Sequence, residues 1–90
     1  MESGTAIAGT VVVEDPVGVE KEYAYEASYS TCREEIGKLA VTWNATIDGI
    51  EEQPGQRRFS VPTPRNQIPP AFVQGRIESS LVEHIEEVQL

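Results

Sequence analysis

Few residues in this chain have chemistry to offer. There is one cysteine, Cys32, one histidine, His84, and a set of arginines at Arg57, Arg58, Arg65 and Arg76. A thiolate–imidazole pair of Cys32 and His84 is the simplest catalytic combination. It requires a thiol whose pKa is depressed by a nearby cation or a helix N-terminus. Arg33 adjoins Cys32, but Glu34 and Glu35 act in the opposite sense, and no nucleophile motif surrounds it. One cysteine and one histidine do not make a zinc ligand set. The chain also lacks the patterns G-x-G-x-x-G, G-x-x-x-x-G-K-[ST] and G-x-S-x-G, so neither a phosphate-cradling loop nor a nucleophile elbow is expected. The adjacent carboxylates Glu34-Glu35, Glu51-Glu52 and Glu86-Glu87 read as solvated surface. No catalytic residue, metal or cofactor is expected, and the protein does not read as an enzyme.

The arginines are the stronger feature. Residues 1–56 carry eleven acids and three bases, whereas residues 57–76 carry four arginines and no acid. Converging guanidiniums hold a phosphate, a carboxylate or an acidic segment through paired hydrogen bonds. Arg57 and Arg58 are neighbours, so on a strand they point to opposite faces, and only one can join Arg65. Arg65 lies in a proline-stiffened stretch from Val61 to Pro70, where a binding geometry is held at low entropic cost. The plainer reading is that these cations neutralise Glu51, Glu52 and other acids.

Tyr23, Tyr25 and Tyr29 share one face of an alternating run, as in the stacking platforms of single-strand binders. Such platforms sit in basic grooves, but here Glu20, Glu22 and Glu26 flank the tyrosines. Core or protein-interface packing fits better, and Tyr25 is kept as a candidate contact. His84 falls near the middle of a helical apolar stripe. It is either a ligand-contacting or pH-sensing imidazole, or a core histidine satisfied by a hydroxyl such as a tyrosine's. Phe72 and Val82 lie off that stripe, on the side expected to face solvent, and are candidate interface residues.

These residues are positioned by elements of two periods. Residues 5–14 are dense in β-branched side chains, and Asp15-Pro16-Val17-Gly18 has turn chemistry. Residues 20–30 alternate, and so, strictly, do residues 39–48, with Leu39, Val41, Trp43, Ala45 and Ile47 on one face. Residues 57–61 form a shorter strand, and Arg33 to Ile36 is read as one helical turn. Beyond Pro69 the period becomes 3.6, with Pro70 the first available helical position. Val73, Ile77, Leu81, Ile85 and Val88 then form one stripe. The expected fold is α+β: a three- to four-stranded antiparallel meander and one amphipathic helix over residues 70–88, in ββββα order, as a single domain over residues 1–90.

Ninety residues with a formal charge of −8 bury roughly 60–65% of the unfolded surface. Self-association is one remedy for so small a core. The negative charge disfavours general nucleic-acid binding. No apolar run reaches the length of a membrane span, and residues 1–8 carry no basic residue of the kind a signal peptide has. The sequence therefore reads as a cytoplasmic, acidic protein-interaction domain that regulates or inhibits a protein partner, as a homo-oligomer. A small-anion or nucleotide-binding module built on Arg57–Arg76 is the alternative.

Overall fold

A computed structural model describes residues 4–62 and 69–89 of the chain; Arg65 lies outside the described residues. Four strands form one antiparallel sheet in the order β1 (Thr5–Glu14), β2 (Glu20–Glu35), β3 (Lys38–Ile47) and β4 (Arg57–Pro62), and one helix follows, α1 (Pro70–Gln89). This is the expected ββββα arrangement.

Each turn has a local cause. Between β1 and β2 the Asp15 carboxylate accepts hydrogen bonds from the Val17 and Val19 amides at 3.0 and 2.9 Å. Gly18 supplies the positive φ of 90° that a side chain would resist. Between β2 and β3 the expected helical turn does not form. β2 instead runs on to Glu35, and Ile36-Gly37 closes a tight hairpin with Gly37 at φ 79°. Local preference across Arg33 to Ile36 is overridden by the ladder that Lys38 to Thr42 offer. The misfit is absorbed as a register irregularity between Arg33 and Glu35.

β3 outlasts β4 at its C-terminal end, because Arg57 pairs with Trp43 and no β4 residue reaches Ile47. Gln53 fills the gap. Its side-chain amide accepts from the Ile47 N–H at 2.7 Å and donates to the Ile47 carbonyl at 3.0 Å. A side chain thus satisfies backbone groups that an absent strand residue would have paired.

The alternation puts Val11, Val13, Tyr23, Tyr25, Tyr29, Val41, Trp43 and Ile47 on one dry face. Val73, Ile77, Leu81 and Ile85 of α1 close over it and are almost wholly excluded from solvent. Pro69 ends the chain's approach to the helix, and its carbonyl accepts the Phe72 and Val73 amides. The first turn has no acid and the last no base, so burial of the stripe, not the helix dipole, holds α1 in place.

The side chains that alternate with these form the other sheet face, and polar ones there belong in water. Glu22, Glu26, Asn44 and Thr46 face it, but Ala40 is only 4% exposed. It pairs with Cys32 and Ser60. Beside it Glu34 accepts from Arg58 and from the Ser60 hydroxyl, both at 2.8 Å.

Gly75 lies within α1, and a β-carbon built there meets no atom within 4 Å. Gly75→Ala is therefore expected to raise the unfolding free energy by about 1 kcal/mol, read as a higher denaturant midpoint at unchanged slope.

Candidate functional site

The two flanks of α1 are built differently. On the β4 flank His84 is buried at 5% exposure. Its Nε2 lies 2.6 Å from the Glu52 carbonyl, which makes Nε2 the protonated nitrogen. Nδ1 then faces the Arg57 guanidinium across a long 3.5 Å contact. The ring is satisfied, as a core histidine requires, but by a backbone carbonyl and not by a hydroxyl. It ties the loop after β3 to the helix.

The basic segment is dispersed. Arg57 goes to His84, whereas Arg58, on the opposite sheet face, is held by Glu34. Arg76 lies over the Phe59 ring at 4.4 Å and near the Phe72 ring at 5.9 Å, so its cation is spread on aromatic faces. Phe72 keeps 43% of its surface exposed. The described arginines therefore do not converge on one point.

Tyr25 is fully used. Its ring is 3% exposed, its hydroxyl donates to Glu78 Oε2 at 2.6 Å, and Gln74 Nε2 donates to it at 3.0 Å. Burial, reinforced by the bond to the Glu78 carboxylate, pushes the phenol up to about 12. The ring also explains Gly9, its cross-strand partner, where a β-carbon would meet the Tyr25 hydroxyl at 3.2 Å. Cys32 is exposed on the sheet face away from α1, so it and His84 are not brought together. Among the described residues no group of three potential metal ligands occurs, and no helix is long and apolar enough to cross a membrane.

The β1 flank is where the structure adds something. Hydrogen bonding in an antiparallel pair alternates along the strand. The Asp15 amide bonds the Val19 carbonyl in continuation of the β1–β2 register, which assigns the odd residues of β1 to β2. The Asp48 amide bonds the Ala24 carbonyl, which assigns the even residues of β2 to β3 and agrees. It follows that Ala6, Ala8, Thr10, Val12 and Glu14 turn their amides and carbonyls outward. Because β1 ends the sheet, no strand among the described residues pairs with them.

Alongside this edge runs a groove lined by Thr10, Val11, Val12, Gly75, Ser79 and Val82, with Glu78 and Glu83 on its helix side. Val82, expected to face solvent, is half-buried and packs on the core from this flank. The sheet's other edge is guarded. β4 is six residues long, presents Arg58, and ends in Pro62, all features that deter strand addition. From Thr5 to Val13, β1 has no charge and no proline. That composition is the signal in the sequence, but only the strand order makes it an edge.

No protein-family model matches the chain, and neither a curated protein nor a solved structure matches it.

Two outcomes follow from the polar contacts. His84→Ala is expected to lower stability by about 2–3 kcal/mol, because the Glu52 carbonyl loses its donor and the stripe gains a void; chemical denaturation checks it. For Tyr25, both states hold the proton below pH 10, so its contribution is complete there. Between pH 10 and about 12 the unfolded chain ionises first, so stability falls as pH rises, by on the order of 2–3 kcal/mol. Tyr25→Phe is expected to remove that part of the alkaline loss, measured as the difference between the two proteins' pH–stability curves.

Proposed function

We propose that the protein is a non-enzymatic interaction domain that binds a partner protein through the outward edge of β1, and regulates or inhibits the partner by occupying it. The observation that carries this reading is the contrast between the edges. A small domain that shields one edge with arginine, proline and short length, yet leaves the nine uncharged residues from Thr5 to Val13 along the other, has the feature that strand-addition interfaces use. Val12, on the same strand, leaves 48% of its surface exposed. A free, exposed thiol at Cys32 suits a reducing compartment, so we assign the domain to the cytoplasm.

Capture of a small anion by the basic segment has less support. Arg58 is engaged by Glu34 on the face opposite Arg57, and Arg76 is stacked on Phe59.

The test uses proline at positions where the amide points outward. Thr10→Pro removes an edge donor without removing a β1–β2 bond, and Ser60→Pro does the same at the guarded β4 edge. Each variant's fold is checked by circular dichroism. Any self-association seen by light scattering, and any partner co-purified from the native cell, is expected to be lost with Thr10→Pro and kept with Ser60→Pro. Retention of the complex by Thr10→Pro would refute the reading.

A further inference from the structure

Resting on that reading of β1 as the binding edge, we infer that its occupant is an extended segment of another protein that alternates basic residues with small or β-branched ones, laid antiparallel or parallel along β1 beneath the flank of α1.

The alternation follows from the ladder. A strand added to β1 places every second side chain on the α1 side, opposite Gly9, Val11 and Val13, and the others beside Ala6, Ala8, Thr10 and Val12. The second set meets a surface of small and β-branched side chains, which Thr and Val cover well. The first set meets the groove. Its floor is Val82, Gly75 and Ser79, and among the described residues that line it the charges are the carboxylates of Glu78 and Glu83. Glu78 is held in place, because its Oε2 already accepts from Tyr25 at 2.6 Å and lies 3.4 Å from the Gln74 amide. A lysine or arginine fits this arrangement in both its parts. The aliphatic stem covers Val82 and Gly75, and the charged head reaches the carboxylates.

Gly75 gives an independent indication. It sits within a helix, at a cost of about 1 kcal/mol relative to alanine, yet among the described residues nothing beyond its own helix turn comes within 4 Å of the place of a β-carbon. Internal packing does not account for it. A chain lying in the groove does, since the first atom of any side chain at position 75 projects into that space.

A second copy of this protein fits less well. Pairing β1 with another β1 sets the Glu78 and Glu83 flank of one helix towards that of its mate. It also joins two chains that each carry a formal charge of −8. Like charges brought together across an interface select against it.

The test is a fluorescence-anisotropy titration of the intact protein with three labelled peptides. The first is Thr-Lys-Val-Lys-Thr-Lys-Val-Lys. The second has glutamate in place of every lysine. The third is a block isomer of the first with its lysines together, which has the same charge and no alternation. The alternating basic peptide is expected to bind saturably and the other two much more weakly. Glu78→Gln and Glu83→Gln are each expected to weaken it by about two- to fivefold, and added salt weakens it further. Gly75→Leu, whose β-carbon meets open space and whose fold is checked by circular dichroism, is expected to abolish binding, as is Thr10→Pro. Equal binding of the block isomer would overturn the inference, since charge attraction alone would then be at work. If all alternating peptides bind regardless of charge and Thr10→Pro abolishes each, the edge reading stands and the basic occupant falls. If the basic peptide binds Thr10→Pro unchanged, both fall. A dimer seen by light scattering and dissolved by Thr10→Pro would give the edge to a second copy and overturn the basic occupant.

Discussion

One helix has to cover a four-stranded sheet, and it is too narrow to do so. A helix with its side chains is about 10–12 Å across, whereas four strands spaced by about 4.8 Å set their outer members about 14 Å apart. The stripe of Val73, Ile77, Leu81 and Ile85 therefore joins one core with Tyr25, Val41 and Trp43, while the helix backbone lies closest to β1. Whatever lies beyond the helix on either side needs another solution. The architecture of both flanks follows from that mismatch.

On the β4 side long side chains extend the cover, with Phe59 and Val61 left half-buried. Arg76 lies on Phe59, His84 bonds the Glu52 carbonyl, and Gln53 replaces the strand residue that Ile47 lacks. The histidine and glutamine satisfy backbone groups that would otherwise lack a partner, and the arginine spreads its cation on an aromatic face. On the β1 side the helix lies close and Val11 and Val13 are buried, but the outward edge of the strand is left uncovered by any other described strand. Val82 leans in to pack on the core, and Tyr25 spans Gly9 to reach Glu78. Between the helix and the outward amides a groove is left. The β1 edge thus sets hydrogen-bonding groups that no other described strand pairs beside a wall whose charge is negative.

The elements were largely legible in the sequence because their periods were clean. Leu39 to Ile47 alternates without a break, and Val73 to Val88 recurs at helical spacing, so strand, helix and the dry face followed from pattern alone. Arg33 to Ile36 misled because its local preference is helical. The extension of β2 depends on pairing with Lys38 to Thr42, a non-local contact that propensity does not register. His84 was legible as buried and satisfied, but its partner depends on the path of the loop after β3. The opposite facing of Arg57 and Arg58 was readable from alternation. The engagement of Arg58 by Glu34 was not, since it needs β2 to reach that far. Val82 was placed towards solvent by the helical wheel, which says nothing about a sheet wider than the helix. The edge itself was invisible, because an uncharged strand reads alike at the centre and at the border of a sheet.

The central claim is that the even-numbered amides of β1 are free and the odd-numbered ones are bonded. Amide hydrogen exchange of the dilute protein, resolved by residue, tests it most directly. The account predicts an alternation along one strand: fast exchange at Ala6, Ala8, Thr10 and Val12, and slow exchange at Ile7, Gly9, Val11 and Val13. Uniform protection from Ala6 to Val13 at a concentration where light scattering shows a monomer would contradict it, for the edge would then be covered by the chain itself.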